Sequence, residues 1–289
     1  VSDPLVVAVI GLGRMGGPMA DNAVAAGLDV RVFDIDPAAV AARVEKGAMA
    51  PASPADAARG ADVVSVVVFD DAQALEVIAG DGGVLDVLTP PAVVVLHTTV
   101  TVETVEVLGS AAAAKGVGLI DAGVSGGEPG ARAGTLVTMV GGEAEAVDRA
   151  RPALDAYSRE VVHAGPLGAG MAMKLARNSV GYTMMAAAHE AMALSSAAGV
   201  DLAQLRHVLE ITQLDSMLYS PFGIGGPEPL PADADEGFRR AMVHTHRLGV
   251  KDIAQALALA ERHGVEMPAA EAARAEFAAV MRLRPDDVA

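Results

Sequence analysis

Cysteine is absent from the 289 residues, which excludes a disulfide framework and a thiolate zinc site. A reducing compartment fits that absence without being required by it. Basic residues are scarce: 21 Lys and Arg stand against 37 Asp and Glu, for a formal net charge of -16. Nucleic acids and anionic membrane surfaces are bound chiefly through Lys and Arg, so neither is expected as the main partner; small ligands fit better. Long apolar runs are also missing. Although 52% of the residues are hydrophobic, Gly, Pro or charge breaks each stretch well before the roughly eighteen residues of a membrane span. The first run, LVVAVI, follows an acidic residue where a signal peptide carries a basic one and ends at glycines. It reads as a buried strand, and the chain is expected to be cytoplasmic. Aromatic residues make up only 3%, so Tyr219 and Phe222 stand out, either as a hydrophobic pocket wall or as anchors of their loop.

What is present divides the chain in two. From residue 5 to about 164, short β-branched runs (LVVAVI, DVRVFD, DVVSVVVF, AVVVLHT, GLIDAGV, LVTMVGG, REVVHAG) alternate with Ala-rich helical stretches. That alternation implies an α/β fold with a parallel sheet covered by helices on both faces. Beyond residue 165 the β pattern stops, and AAHEAMALSSAAG, LAQLRHVLEIT and DIAQALALAERHG carry apolar residues at helical spacing. Residues 1–165 are therefore expected to form a doubly wound sheet domain and 166–289 an all-α domain. The stretch 219–237, rich in Gly, Pro and acid, interrupts the helices as a loop, either an ordered lid or a flexible connection.

The strand LVVAVI runs into Gly11-Leu12-Gly13-Arg14-Met15-Gly16, which opens a helix. Glycines in this context allow a tight turn and the close approach of a pyrophosphate, which then sits at the helix N-terminus. Asp34 ends the second strand roughly 20 residues on, where an acid accepts hydrogen bonds from the adenosine ribose. The loop and acid together predict a Rossmann-type dinucleotide site. A carboxylate at 34 repels a 2′-phosphate, Ile35 is not the Arg an NADP site needs, and Asp36 adds negative charge, so NAD is expected over NADP. Arg14, inside the loop, is read as a pyrophosphate contact. Phe69 and the pair Thr98-Thr99 lie where the third and fourth strands end, the edge at which such sheets bind ligands. Phe69 either covers the cofactor or packs in the core, and the threonines are either cofactor contacts or plain β-formers.

Asp121-Ala122-Gly123-Val124-Ser125-Gly126-Gly127 reads as a loop after the strand GLI, and Ser-Gly-Gly offers a hydroxyl and backbone N–H groups suited to a carboxylate, or a plain glycine turn. Further on, Lys174 stands alone in a run of Gly, Ala, Met and Leu with Asn178 one helical turn later, so both share a helix face. His244 and His246, two residues apart, point to different sides of a helix and do not readily chelate one metal; no metal site is expected.

GLGRMGGPMADN, DAGVSGGEPGARAGTLVTMVGG, GAGMAMKLARN and VKDIAQALALA, in this order and spacing, resemble the β-hydroxyacid dehydrogenase family, over essentially the whole chain. The resemblance implies that Lys174, in the pattern GxGxxxKxxxN with Gly168, Gly170 and Asn178, is the general acid/base, and that Asn178 orients the substrate. It further implies that Ser125, Gly126 and Gly127 hold a substrate carboxylate. Thr99 would contact the nicotinamide end of the cofactor, and Lys251 would approach cofactor or substrate from the helical domain. A long helix over 168–198 would join the two domains, the site would lie between them, and a homodimer or homotetramer is expected. The implied reaction is hydride transfer between NAD and a small 3-hydroxy acid, with tartronate or succinic semialdehyde as competing substrates. Imine reductases generally replace the lysine, and position 181 is Gly where 6-phosphogluconate dehydrogenases carry an assisting acid. A catalytically silent dinucleotide-binding relative is the reading from another class. The chain departs from the family pattern at Gly123, where Pro is usual, and at His97-Thr98-Thr99 with Val102 in place of a proline. Glu190 is expected to make an interdomain ion pair or hydrogen bond.

Overall fold

A computed structural model describes residues 4–212, 214 and 220–288. Seven strands form one sheet in the order β2-β1-β3-β4-β5-β6-β7: β1 (Val6–Ile10), β2 (Asp29–Phe33), β3 (Val63–Val66), β4 (Val93–Leu96), β5 (Gly118–Ser125), β6 (Leu136–Gly141) and β7 (Ser158–Gly165). Successive side chains of a strand face opposite ways, so each strand feeds two cores. Val7, Val9, Val63, Val93 and Val95 bury themselves on one side, against α1 (Gly16–Ala25) and later α7 (Ala144–Asp155). Ala8, Ile10, Val64, Val66, Val94 and Leu96 do so on the other, against α4 (Asp71–Ala79) and α5 (Val102–Ala114). This is the doubly wound arrangement expected from the alternation.

The sheet is not wholly parallel. β5 and β6 pair antiparallel, while β6 and β7 pair parallel. A parallel crossover needs a dozen or more residues. Only residues 126–135, holding the short α6 (Gly127–Ala133), separate β5 from β6, whereas α7 gives the next connection its length. β5 also runs further than the sequence indicates: Asp121 through Ser125 are strand and not loop. Asp121, Gly123 and Ser125 therefore share one face of it.

The chain forms two compact units, residues 1–178 and 179–289, and the division falls inside α8 (Ala169–Ala197). The start of α8 belongs to the sheet because Met171 is fully buried in the α4/α5-side core, and a Cβ on Gly170 would collide with backbone atoms of Met139, Gly141 and Asp121. In the second unit α8 continues, followed by α9 (Leu202–Ile211), a short turn of helix (Ser220–Gly223), α10 (Glu236–His263) and α11 (Pro268–Val280). Leu230, Met281 and Leu283 form its small buried core. The segment read as a possible lid is fastened there: Leu230 donates its N–H to Arg282, whose guanidinium donates to the carbonyls of Ile224 and Glu228. Buried Glu190 accepts the N–H groups of Ala269 and Ala270 and so caps α11; both partners lie in its own unit, which corrects the interdomain expectation. No described helix is long and apolar enough to cross a membrane.

Candidate functional site

In the first unit, the glycine loop sits at the C-terminal ends of the parallel strands. Gly11 has φ 91°, and a Cβ there would run into the carbonyl of Val67; one on Gly16 would run into the carbonyl of Gly11. Those two glycines are demanded by the protein itself. Gly13 is different: it is exposed, and a Cβ there would meet nothing within 4 Å. Its smallness serves whatever approaches from outside, as a pyrophosphate does. The N-termini of α2 (Pro37–Val44), α3 (Pro54–Ala58), α4 and α5 are capped by the side chains of Asp36, Ser53, Asp70 and Thr101. α1 has no side-chain cap at Met15 and no acid in its first turn, so its partial positive charge is left for an anion. Leu12 turns its side chain into the core and donates its N–H to Asp34 Oδ2 at 2.5 Å. Asp34 Oδ1 accepts the N–H of Asp36 at 2.8 Å, and it is Asp36, not Asp34, that caps α2. Ile35 is 91% exposed. These groups fit a dinucleotide.

Arg14 lies in an ion pair with Glu128 of α6 at 2.6 Å, and Arg132 pairs with the same carboxylate at 2.7 Å. The two guanidinium groups, Arg14 foremost, hold the Glu128 carboxyl below the usual range. At the end of β3, Phe69 is 86% exposed, so core packing is not its role. Thr98 and Thr99 also separate: Thr98 is buried, bonding the N–H and carbonyl of Val68, whereas Thr99 is exposed.

β5 brings the next group together. Ser125 ends the strand, half-buried, and Gly126 and Gly127 turn the chain into α6 with φ of 129° and 60°, conformations that favour glycine. A cavity of about 460 Å³ opens beside Ser125 and Gly126, lined also by Thr135, Val137 and Arg159. One turn into α8, Lys174 lays its stem against Gly123, where a Cβ would stand 2.7 Å from the lysine Cβ. Its ammonium donates to the carbonyl of Val124, the residue beside Ser125. Burial lowers the Lys174 pKa, and Arg177 lowers it further. Asn178, also half-buried, accepts a hydrogen bond from Arg177 at 3.3 Å. The ordered group is thus Lys174, Gly123, Val124 and Ser125.

Lys251 belongs to the second unit, on α10, where it pairs with Asp252 at 3.0 Å and is largely exposed. His244 is exposed, while His246 stacks on Phe277 with centroids 6.3 Å apart and lines a cavity of about 1120 Å³ between α10 and α11. Tyr219 lies outside the described residues, as does the side chain of Phe222. Among the described residues no cluster of three His, Asp or Glu side chains is arranged to hold a metal.

Sequence reasoning passed over three residues that adjoin these groups. Asp121 bonds the start of α8, Glu128 tethers Arg14, and Arg159 lines the cavity beside Ser125. The periodicity i, i+2, i+4 across Asp121, Gly123 and Ser125 was the available signal for the first.

A glycine loop with an uncapped helix after it, a ribose-type acid and a desolvated lysine beside a serine define a dinucleotide-dependent oxidoreductase. The family model described as the NAD binding domain of 6-phosphogluconate dehydrogenase matches residues 6–165, and that described as NAD-binding of NADP-dependent 3-hydroxyisobutyrate dehydrogenase matches 168–287. The 3-hydroxyisobutyrate dehydrogenase of Pseudomonas aeruginosa is 38% identical over 275 residues, covering 94% of this chain and 90% of that protein. The NAD-dependent L-serine dehydrogenase of the same organism is 37% identical over 236 residues, 80% of this chain and 79% of that one. Among solved structures, a putative oxidoreductase from Mycobacterium avium superposes with a TM-score of 0.83 at 38% identity, covering 96% of this chain and 99% of its own. The chain is an NAD(P)-binding oxidoreductase and belongs to the 3-hydroxyisobutyrate (β-hydroxyacid) dehydrogenase family.

Proposed function

We propose that this enzyme transfers hydride between NAD and the alcohol carbon of a small 3-hydroxy acid resembling 3-hydroxyisobutyrate, with Lys174 as general acid/base. The observation that carries the reading is the seat of Lys174: an ammonium half-withdrawn from water, held beside Ser125 by a carbonyl that can only accept. The names of the two Pseudomonas aeruginosa relatives support the substrate class, since 3-hydroxyisobutyrate and serine both carry a hydroxyl on the carbon β to a carboxylate.

In this reading residues 1–165 form the cofactor domain and 166–289 the helical domain for substrate and oligomer contacts. Gly11, Leu12, Gly13, Arg14, Met15 and Gly16 with the N-terminus of α1 would hold the pyrophosphate, Asp34 the adenosine ribose, and Phe69, Thr99 and Lys251 the remainder. The nicotinamide supplies the hydride acceptor. Everything else falls to the chain. Ser125 and the N–H groups of Gly126 and Gly127 bind the carboxylate, and Asn178 orients the hydroxyl. Lys174, as the neutral amine, takes the hydroxyl proton at Nζ as the carbon loses hydride, and returns it in the reverse direction. Burial favours the neutral amine, which an exposed lysine scarcely populates near neutral pH. Asp34 supports NAD over NADP because its charge opposes a 2′-phosphate and exposed Ile35 offers no cation. Val180, Tyr182, Met184, Met185 and Met192, exposed along α8, support a homo-oligomer.

The test is NADH formation with 3-hydroxyisobutyrate, 3-hydroxypropionate, glycerate, serine and 4-hydroxybutyrate, with NADP in parallel. One substrate is expected to turn over with NAD, and Lys174→Ala to lose about 10²- to 10⁴-fold in kcat. Turnover only in the reductive direction with tartronate or succinic semialdehyde moves the substrate; reduction of an imine, or NADH binding without any turnover, refutes the reading.

A further inference from the structure

We propose that Asp121 is a positioning residue for this reaction: its buried carboxylate fastens the first turn of α8 to β5 and thereby holds Lys174 against the strand that ends in Ser125. The proposal rests on the reading of Lys174 as the acid/base.

Asp121 is 0% exposed. Its Oδ1 accepts the N–H of Gly168 at 2.7 Å and its Oδ2 the N–H of Met171 at 2.5 Å. Both belong to the set of N–H groups that the start of a helix leaves without intrahelical partners. At α2, α3, α4 and α5 such groups are met by the residue just before the helix. A local cap of that kind stabilises a helix wherever it points. The cap on α8 comes instead from a strand 47 residues upstream, so it fixes the helix relative to the strand.

The packing agrees. A Cβ on Gly141 would collide with the Asp121 carboxylate and with Gly170, and one on Gly170 would stand 2.5 to 2.8 Å from the backbone of Met139, Gly141 and Asp121. The helix start therefore lies directly on β5 and β6. Lys174 follows Met171 by three residues and Gly170 by four, which returns it to the same face of α8. On β5 the alternation places the carboxylate at 121, the seat of the lysine stem at 123 and the serine at 125 on one face. One strand face thus carries the anchor, the seat and the hydroxyl in sequence.

Burial raises the pKa of Asp121, and the N–H groups of Gly168 and Met171 oppose that rise. Asp121→Asn keeps one acceptor oxygen and loses the other, and Asp121→Ala loses both. With NAD and the best hydroxy acid, kcat is expected to fall by about 10- to 100-fold in Asp121→Ala and less in Asp121→Asn. The KM for NAD and the Kd for NADH should stay within about twofold, since the glycine loop is untouched. Variants that bind NADH and keep the parent kcat overturn the proposal, as does a loss of kcat matched by an equal loss of NADH-binding sites.

Should the Asp121 variants fail to fold, Gly170→Ala tests the same point with the carboxylate left in place. Its Cβ must push α8 off the strands. After reductive ¹³C-methylation, the titration of Lys174, resolved from Lys46, Lys115 and Lys251 by a Lys174→Arg control, is followed by NMR. Its midpoint is expected to move up, because burial is the main cause holding it down; an unmoved midpoint with normal kcat overturns the proposal. This titration needs no turnover. If the parent turns over equally well without Lys174, the acid/base reading fails, while the titration still reports whether the anchored start of α8 seats the lysine.

Discussion

The carboxylate of Asp34 offers about four lone-pair positions, and two accept the N–H groups of Leu12 and Asp36. The rest remain for ribose hydroxyls, so one side chain shapes the glycine loop and reads the cofactor. Asp34→Ala is accordingly expected to raise the KM for NAD by about 10- to 100-fold, the equivalent of one charge-assisted hydrogen bond of about 1.5–3 kcal/mol, and to lower Tm. Asp34→Ser with Ile35→Arg should move the ratio of kcat/KM values toward NADP; an unchanged ratio would refute Asp34 as the discriminating group. Gly123 offers a second residue-level prediction. In Gly123→Ala the new Cβ meets the Lys174 stem, so the lysine must leave its seat. Its pKa, lowered by burial, then rises toward the ordinary value. Oxidation uses the neutral amine, so the rising limb of rate against pH should shift to higher pH, with kcat reduced about tenfold. A limb that stays put would show that the stem does not need the gap. Neither use was legible from sequence: Asp34 was read for its ligand and Gly123 as a departure from a familiar loop, because contacts across the fold leave no local pattern.

Whole strands were easier to read than their ends and directions. β1, β3 and β4 announce themselves as β-branched runs because both of their faces are buried, while edge strand β2 alternates buried Val30 and Val32 with half-buried Asp29, Arg31 and Phe33. β5 hides its second half, since Asp121, Gly123 and Ser125 interrupt the apolar run on the face that receives α8. The antiparallel turn at β6 was written only in the short connection from β5. The junction of β4 and β5 carries a prediction of its own. His97, fully buried just beyond β4, donates Nδ1–H to the carbonyl of Ala122 at 2.8 Å and accepts the Tyr157 hydroxyl at Nε2 at 3.0 Å. Burial raises the tyrosine pKa and pushes the His97 pKa down to about 4, from 6.5 when exposed. The unfolded chain therefore binds a proton that the folded one refuses between these values. The cost of keeping His97 neutral in the folded chain is nil above about pH 6.5 and grows to about 3 kcal/mol by pH 4. Urea unfolding across this range should show that slope, and His97→Gln should flatten it; an identical slope in the variant would place the titration elsewhere.

At the scale of the molecule, the helical pattern of the second unit was legible from apolar spacing, but what its polar residues hold was not. Glu190, for example, caps α11 from 79 residues away. The same spacing left an excess on α8, where Val180, Tyr182, Met184, Met185 and Met192 are all exposed. A stable interface between subunits needs roughly 800 Å² from each partner, largely apolar at its centre, and these side chains, spread over about half of the helix circumference, offer apolar area for one. The net charge of -16 opposes association through repulsion between copies, which salt screens over about 10 Å at 0.1 M. Apolar burial is not weakened by salt. Sedimentation at micromolar concentration should therefore find a dimer or tetramer that holds or tightens as salt is added. Met184→Glu with Met185→Glu places two further negative charges among these apolar side chains, so this variant should shift toward monomer, most strongly at low salt. A parent chain that sediments as a monomer at all salt concentrations would mean that these side chains face water in the working enzyme.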